Sequence, residues 1–217
     1  GIIGGTGSGK TSLVNLIPRF YDVSEGSVLV DGKDVRDYPI SGLREKISIA
    51  PQKSVLFKGT LKENMLWGRE DASDEEIYAA LEIAQAREFV EAKGEGLSLF
   101  IDQEGRNLSG GQRQRLAVAR ALVRRPEILI LDDSASALDF ATDARMRKAI
   151  RENTEGITVF LVSQRAASLK GADQILVLDE GRLVGAGSHR ELLRTCQVYR
   201  EICLSQLSKE EVERDEQ

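Results

Sequence analysis

The sequence predicts an α/β fold on a mostly parallel sheet, with an α-helical lobe inserted in the middle of the chain. Three observations predict it. Short apolar, largely β-branched runs at Ile128–Leu131, Thr158–Val162 and Ile175–Leu178 suit strands buried on both faces of a parallel sheet. Ile2 and Ile3 lead into a glycine-rich loop and then a helical segment, which is a strand–loop–helix unit. Between these regions, residues 58–125 carry helical patterning.

Taken in order, the first helix runs through Ile17 and stops near Pro18. Ser27–Val30 and Lys33–Val35 flank Asp31-Gly32, a pair suited to a two-residue hairpin turn. Ile47–Ala50 is a short strand ended by Pro51. Ser73 and Glu76 form a capping box ahead of Ile77, Leu81 and Ala84. Asp179-Glu180-Gly181-Arg182 reads as a second hairpin turn. Only Val212 is apolar between Lys209 and Gln217, so this end is expected to be solvated or frayed. The expected division is an α/β core (1–57 and 126–207), a helical lobe (58–125) and a charged tail (208–217).

Composition excludes several functions. At 217 residues the chain buries enough surface to fold without a disulfide or metal staple. Thirty Lys and Arg against 35 Asp and Glu leave a net charge of −5, a poor match for a phosphate backbone, so no nucleic-acid partner is expected. Mean hydropathy is −0.26. The apolar runs fall far short of the ~20 residues that span a bilayer. His189 is the single histidine, which excludes two-histidine metal or catalytic schemes. Cys196 and Cys203 show no metal spacing and read as ordinary thiols.

The chemistry is concentrated in a few motifs. Gly4-x-x-x-x-Gly9-Lys10-Thr11 fits a phosphate-binding P-loop, so Gly4, Gly5, Thr6, Gly7, Ser8, Gly9, Lys10, Thr11 and Ser12 are candidate nucleotide contacts. Such glycines let backbone N–H groups converge on phosphate oxygens at a helix N-terminus. The lysine adds a point charge, and the Thr11 hydroxyl is a candidate Mg2+ ligand. The run Ile128–Leu131 ends in Asp132 and Asp133; Asp132, at the end of a buried strand, is a second candidate Mg2+ anchor. Leu108-Ser109-Gly110-Gly111-Gln112 opens an Arg- and Ala-rich helix and offers another anion-receptive start.

This last segment resembles the signature sequence of ATP-binding cassette (ABC) nucleotide-binding domains. Gln52 after Ala50-Pro51 resembles the family's Q-loop, and Ser136-Ala137-Leu138-Asp139 its D-loop. The resemblance extends over essentially the whole chain. It implies a P-loop ABC ATPase that uses ATP and Mg2+, with Gln52 at both the metal and the attacking water. It further implies two cassettes paired head to tail, each ATP held between one chain's P-loop and the other's Leu108–Gln112 and Asp139. The segment Gln52–Asn64 is similar to exporter cassettes, which follow a transmembrane domain and work at the cytoplasmic face of the membrane. Fewer than sixty residues separate Gln52 from Leu108, which leaves no room for the coiled coil of DNA-repair relatives.

Three departures from the family pattern bear on mechanism. The residue after Asp132, usually a glutamate that polarises water, is Asp133, set back by about one methylene. The switch histidine is replaced by Gln164, whose amide can hydrogen-bond a γ-phosphate but cannot carry a proton. His189 lies too far downstream to substitute, at the expected start of the last helix. Gln103 stands where exporters commonly have glutamate. An intact signature beside a weakened base and switch resembles the degenerate-site subunit of a heterodimeric exporter. The alternatives are a slow symmetric homodimer and a soluble ATPase without a transport role. Only Ile2 and Ile3 remain of the strand before the P-loop. The sequence is therefore read as a cassette cut at its N-terminal side, aggregation-prone in isolation and without the adenine-stacking aromatic.

Overall fold

The computed structural model describes residues 1–216. The described residues form two compact units, Gly1–Leu43 with 160–216, and Arg44–Val159.

In the first unit the buried strand Ile2–Gly4 is an inner strand. It pairs in parallel with Ile175–Asp179 (Ile2 opposite Leu176, Gly4 opposite Leu178) and with Thr158–Val162 (Ile2 opposite Val162). Arg182–Gly187 closes the edge antiparallel to Ile175–Asp179. The hairpin turn between them places Glu180 (φ 44°) and Gly181 (φ 76°) in the left-handed region that a two-residue turn requires. The expected Asp31-Gly32 turn has the same geometry, with Leu29–Val30 paired to Lys33–Asp34. The first helix is shorter than its apolar pattern suggests. It covers Lys10–Asn15 and unwinds through tighter turns, Leu16 N–H to Leu13 O and Ile17 N–H to Val14 O, before Pro18.

Up to Glu216 the charged tail is solvated on one face, with Lys209, Glu210, Glu213 and Arg214 exposed, but it is not frayed. Lys209–Glu216 is a helix whose one apolar residue, Val212, is 1% exposed in a core with Leu169, Val177, Leu192, Tyr199 and Cys203. Polar contacts fix its end. Lys170 Nζ donates to Asp215 Oδ2 at 2.5 Å, His189 Nε2 lies 3.3 Å from the same oxygen, and Arg194 Nε donates to the Glu216 carbonyl at 3.0 Å. A composition of seven polar residues around one valine conceals this anchoring. His189 does begin a helix, His189–Thr195, but two more follow, Gln197–Gln206 and Lys209–Glu216.

The second unit pairs Ile47–Ala50 in parallel with Ile128–Asp132, Ala50 opposite Leu131. The helices Leu61–Leu66, Asp74–Ile83, Arg87–Ala92 and Gly110–Val123 occupy the region read as helical. Ser73 and Glu76 close the expected capping box, and Thr60 with Glu63 closes another. A two-stranded pairing of Gly59–Thr60 with Phe100–Ile101 had no sequence signal, because two-residue strands are too short to show alternation.

Candidate functional site

The P-loop of the first unit starts where strand Ile2–Gly4 ends. A Cβ on Gly4 would lie 2.1 Å from Leu178 O and 2.6 Å from Ser8 Oγ, so only glycine lets the chain leave the sheet there. Gly7 (φ 80°) and Gly9 (φ 94°) turn the loop through left-handed backbone. A Cβ on Gly5 or Gly7 would meet nothing within 4 Å, so both border open space where a ligand can approach the backbone. Helix Lys10–Asn15 begins at Gly9 with no side-chain cap. Lys10 is buried, and its Nζ donates to Gly4 O (2.9 Å), Gly5 O (2.7 Å) and Ser8 Oγ (3.4 Å). The ammonium is thereby fixed against the loop, where it adds positive charge to a start already favourable to anions. Thr6, Thr11 and Ser12 are exposed.

The switch segment belongs to the same unit. Ser163 N–H donates to Ile2 O (3.1 Å), which joins it to the strand feeding the P-loop. Gln164 follows, exposed, and Arg165 N–H turns back to Ser163 Oγ (3.0 Å).

In the second unit, the parallel register brings Gln52, Asp132 and Asp133 out at one edge of the Ile47–Ala50 and Ile128–Asp132 pair. Asp132 is buried, at 6% exposure. Asp133 is half-buried and has φ 46°, a left-handed conformation that aspartate tolerates better than most residues. Its Oδ2 accepts a hydrogen bond from Gln52 Nε2 at 3.3 Å. Two residues singled out separately in the sequence are thus in contact.

The signature segment caps its own helix. Ser109 Oγ accepts from Gln112 N–H (3.2 Å), while Gln112 Oε1 accepts from Ser109 N–H (2.9 Å), a closed capping box on helix Gly110–Val123. Leu108 is buried beneath it. A Cβ on Gly111 would lie 3.1 Å from Leu138 Cδ2 and 3.2 Å from Ala137 O, so the glycine lets the Ser136–Asp139 segment pack against the helix start. Asp139 caps the next helix, Phe140–Asn153, by accepting from Thr142 N–H at 2.9 Å. That bond holds its carboxyl below the usual range.

Sequence reasoning missed Gln114. Its Nε2 donates to Ser136 Oγ (2.9 Å) and its Oε1 accepts from Ala137 N–H (2.8 Å), which ties the signature helix to the segment before Asp139. A readable signal existed, because Gln114 lies on the helical stripe of Ala117, Val118 and Ala121, and a glutamine on a buried stripe needs partners. A cleft of about 400 Å³ runs beside it, lined by Gln52, Lys53, Glu104, Arg106, Gly110 and Arg113 among others. Gln103 stands exposed in the turn before this helix.

Residues 1–136, which hold the P-loop, Gln52, the Leu108–Gln112 segment, Asp132 and Asp133, are matched by the family model described as ABC transporter. The chain belongs to the ABC transporter family. As an ABC cassette it is 46% identical, over 96% of its length, to the uncharacterized ABC transporter ATP-binding protein YfiB of Bacillus subtilis, and covers 36% of that protein. It is 42% identical, over 91% of its length, to an ATP-dependent lipid A-core flippase of Hahella chejuensis, and covers 34% of it. The solved structure of a bacterial Atm1-family ABC exporter with ATP bound superposes with a TM-score of 0.92 at 38% identity. That match covers 96% of this chain and 37% of the other. The cassette therefore spans about a third of the length of the relatives it matches. Its fold is the P-loop ABC ATPase fold. Among the described residues, no helix is long and apolar enough to cross a membrane.

Proposed function

We propose that this cassette binds ATP and Mg2+ and drives export across a membrane as one half of an asymmetric pair, with its own P-loop site impaired in hydrolysis. The carrying observation is a contrast. The signature helix start is fully formed, whereas the carboxylate after Asp132 is the short Asp133, turned by φ 46° and bonded to Gln52. Gly4 to Ser12 hold the phosphates, and Leu108 to Gln112 with Asp139 serve the ATP of the second cassette. Thr11, Gln52 and Asp132 offer only oxygen donors, the set Mg2+ prefers. No cluster of three or more His, Cys, Asp or Glu positioned for a metal occurs among the described residues, which suits an ion completed by phosphate and water. When bound, Mg2+ supplies neutralisation of phosphate charge.

The chain's own residues set the limits of the chemistry. Asp133, hydrogen-bonded to Gln52, is a weak acceptor for the proton of an attacking water, and Gln164 can donate to a phosphate oxygen but cannot shuttle a proton. Residues 58–125 form the helical lobe, 1–57 and 126–207 the core, and 208–217 the charged end. The partners are a transmembrane domain and a second, different cassette, at the cytoplasmic face of the membrane. These finer assignments are supported by the exporter relatives and by the departures at residues 133 and 164.

The test is steady-state ATPase of the reconstituted full-length pair. Asp133→Asn should leave turnover nearly unchanged, and Asp133→Glu with Gln164→His should raise it. Collapse of turnover in Asp133→Asn, with Ser109→Ala harmless, would make the cis site the working one and end this reading.

A further inference from the structure

Helix Ala166–Leu169, immediately after the switch, lacks a cap of its own. Its N-cap residue, Arg165, makes no side-chain capping bond. The first N–H groups of a helix have no partner within it, and a start without a local cap must draw one from elsewhere. Here it comes from forty residues downstream. Gln206 Oε1 accepts from Ala166 N–H at 2.9 Å. The other half of the same amide, Nε2, donates to Gln164 O at 2.7 Å. A backbone N–H only donates and a carbonyl only accepts, so the amide fits this position in one orientation. The two bonds clasp the chain on both sides of Arg165.

The clasp has a rigid base. Gln206 is the last residue of helix Gln197–Gln206, whose Tyr199 and Cys203 are fully buried in the core of the first unit. Leu207 N–H returns to Cys203 O at 2.8 Å and closes the helix end. On the switch side, Ser163 N–H is bonded to Ile2 O, in the strand that leads to the P-loop. The segment from residue 163 to 166 is therefore held from the P-loop strand at one end and from the C-terminal helices at the other.

We infer that Gln206 is a positioning residue for the switch. By fixing the Gln164 carbonyl and the Ala166 N–H, it sets where the Gln164 side chain stands and so how well the P-loop site distinguishes ATP from ADP. This inference rests on the proposed role of Gln164 as the amide that meets the γ-phosphate. The site is proposed to be hydrolysis-impaired, so its ATP-over-ADP preference, not its turnover, reports the effect. ADP has no γ-phosphate, and its affinity reports the fold of the P-loop alone.

The experiment measures ATP and ADP affinity at this chain's P-loop in the full-length transporter with its partner, by nucleotide photolabelling of this subunit. Gln206→Ala should lower the ATP-over-ADP preference roughly tenfold, the size of one charge-assisted hydrogen bond, with ADP affinity within about twofold. Gln206→Glu keeps the acceptor for Ala166 N–H but sets a carboxylate oxygen against Gln164 O, and should lose at least as much as Gln206→Ala. In a Gln164→Ala background, Gln206→Ala should cause no further loss. Equal losses for ATP and ADP, or additive losses in the two backgrounds, would overturn the positioning role. If Gln164→Ala leaves the preference unchanged, the reading of Gln164 fails. If Gln164→Ala lowers it and Gln206→Ala does not, only the role of Gln206 fails.

Discussion

The P-loop and the signature segment both begin a helix with glycines and a hydroxyl side chain, yet they satisfy those starts in opposite ways. Helix Lys10–Asn15 has a glycine N-cap at φ 94° and no side-chain cap. Helix Gly110–Val123 is sealed by the reciprocal bonds of Ser109 and Gln112. The first start gives up local stability for a surface open to an incoming anion. The second is stable as it stands, with Ser109 Oγ already accepting one backbone bond while its own hydrogen stays available to donate. The contrast teaches that the P-loop start leaves its backbone N–H groups open to an anion, whereas the signature start is organised first as a helix cap.

Mutations can break or sharpen this comparison. The largest effect is expected for Lys10→Ala. It removes the ammonium bonded to the loop carbonyls and should weaken ATP binding by roughly 100-fold or more, measured by nucleotide affinity of the full-length protein. Unchanged binding would remove the P-loop assignment.

Ser109→Ala should act twice. Loss of the cap costs about 1 kcal/mol of stability, and on the proposed role of the hydroxyl at the partner's ATP, turnover of the assembled transporter should fall about tenfold or more. A stability loss with normal turnover would leave Ser109 as a cap alone. Gln112→Ala opens the same box from its other side and keeps the hydroxyl. It should cost roughly 0.5–1 kcal/mol in thermal denaturation, with a smaller loss of turnover than Ser109→Ala. Together the two variants separate capping from ligand binding.

The smallest effect concerns the anchored C-terminal helix. Burial lowers the pKa of His189, and the Lys170 hydrogen bond lowers that of Asp215. As pH falls below about 6.5, the unfolded chain takes up a proton on His189 before the folded one does, so stability declines. Asp215 contributes fully above the ordinary carboxylate range and loses its contribution as pH falls through its depressed pKa. The thermal midpoint should drift down from pH 7 to pH 5, and His189→Gln should flatten that drift. A midpoint that rises on acidification would show that the sign is wrong.

The fold and most of the candidate site were legible because their signals are local. A buried parallel strand needs a β-branched apolar run, as at Ile128–Leu131. A two-residue hairpin turn needs residues such as Asp31-Gly32 that accept positive φ. A capping box needs its two members three residues apart, as Ser73 and Glu76 are. The sequence by itself determined these elements and the glycine loop, because each depends on residue type at short spacing. Tertiary structure alone decided the contacts between distant positions: Gln52 with Asp133, Gln114 with Ala137, Gln206 with Gln164 and Ala166, and Lys170 with Asp215. A glutamine or a lysine has the same letter whether solvated or bonded across forty residues. Which of the two it is depends on where the packed helices and strands bring its backbone, and no short window of sequence carries that information.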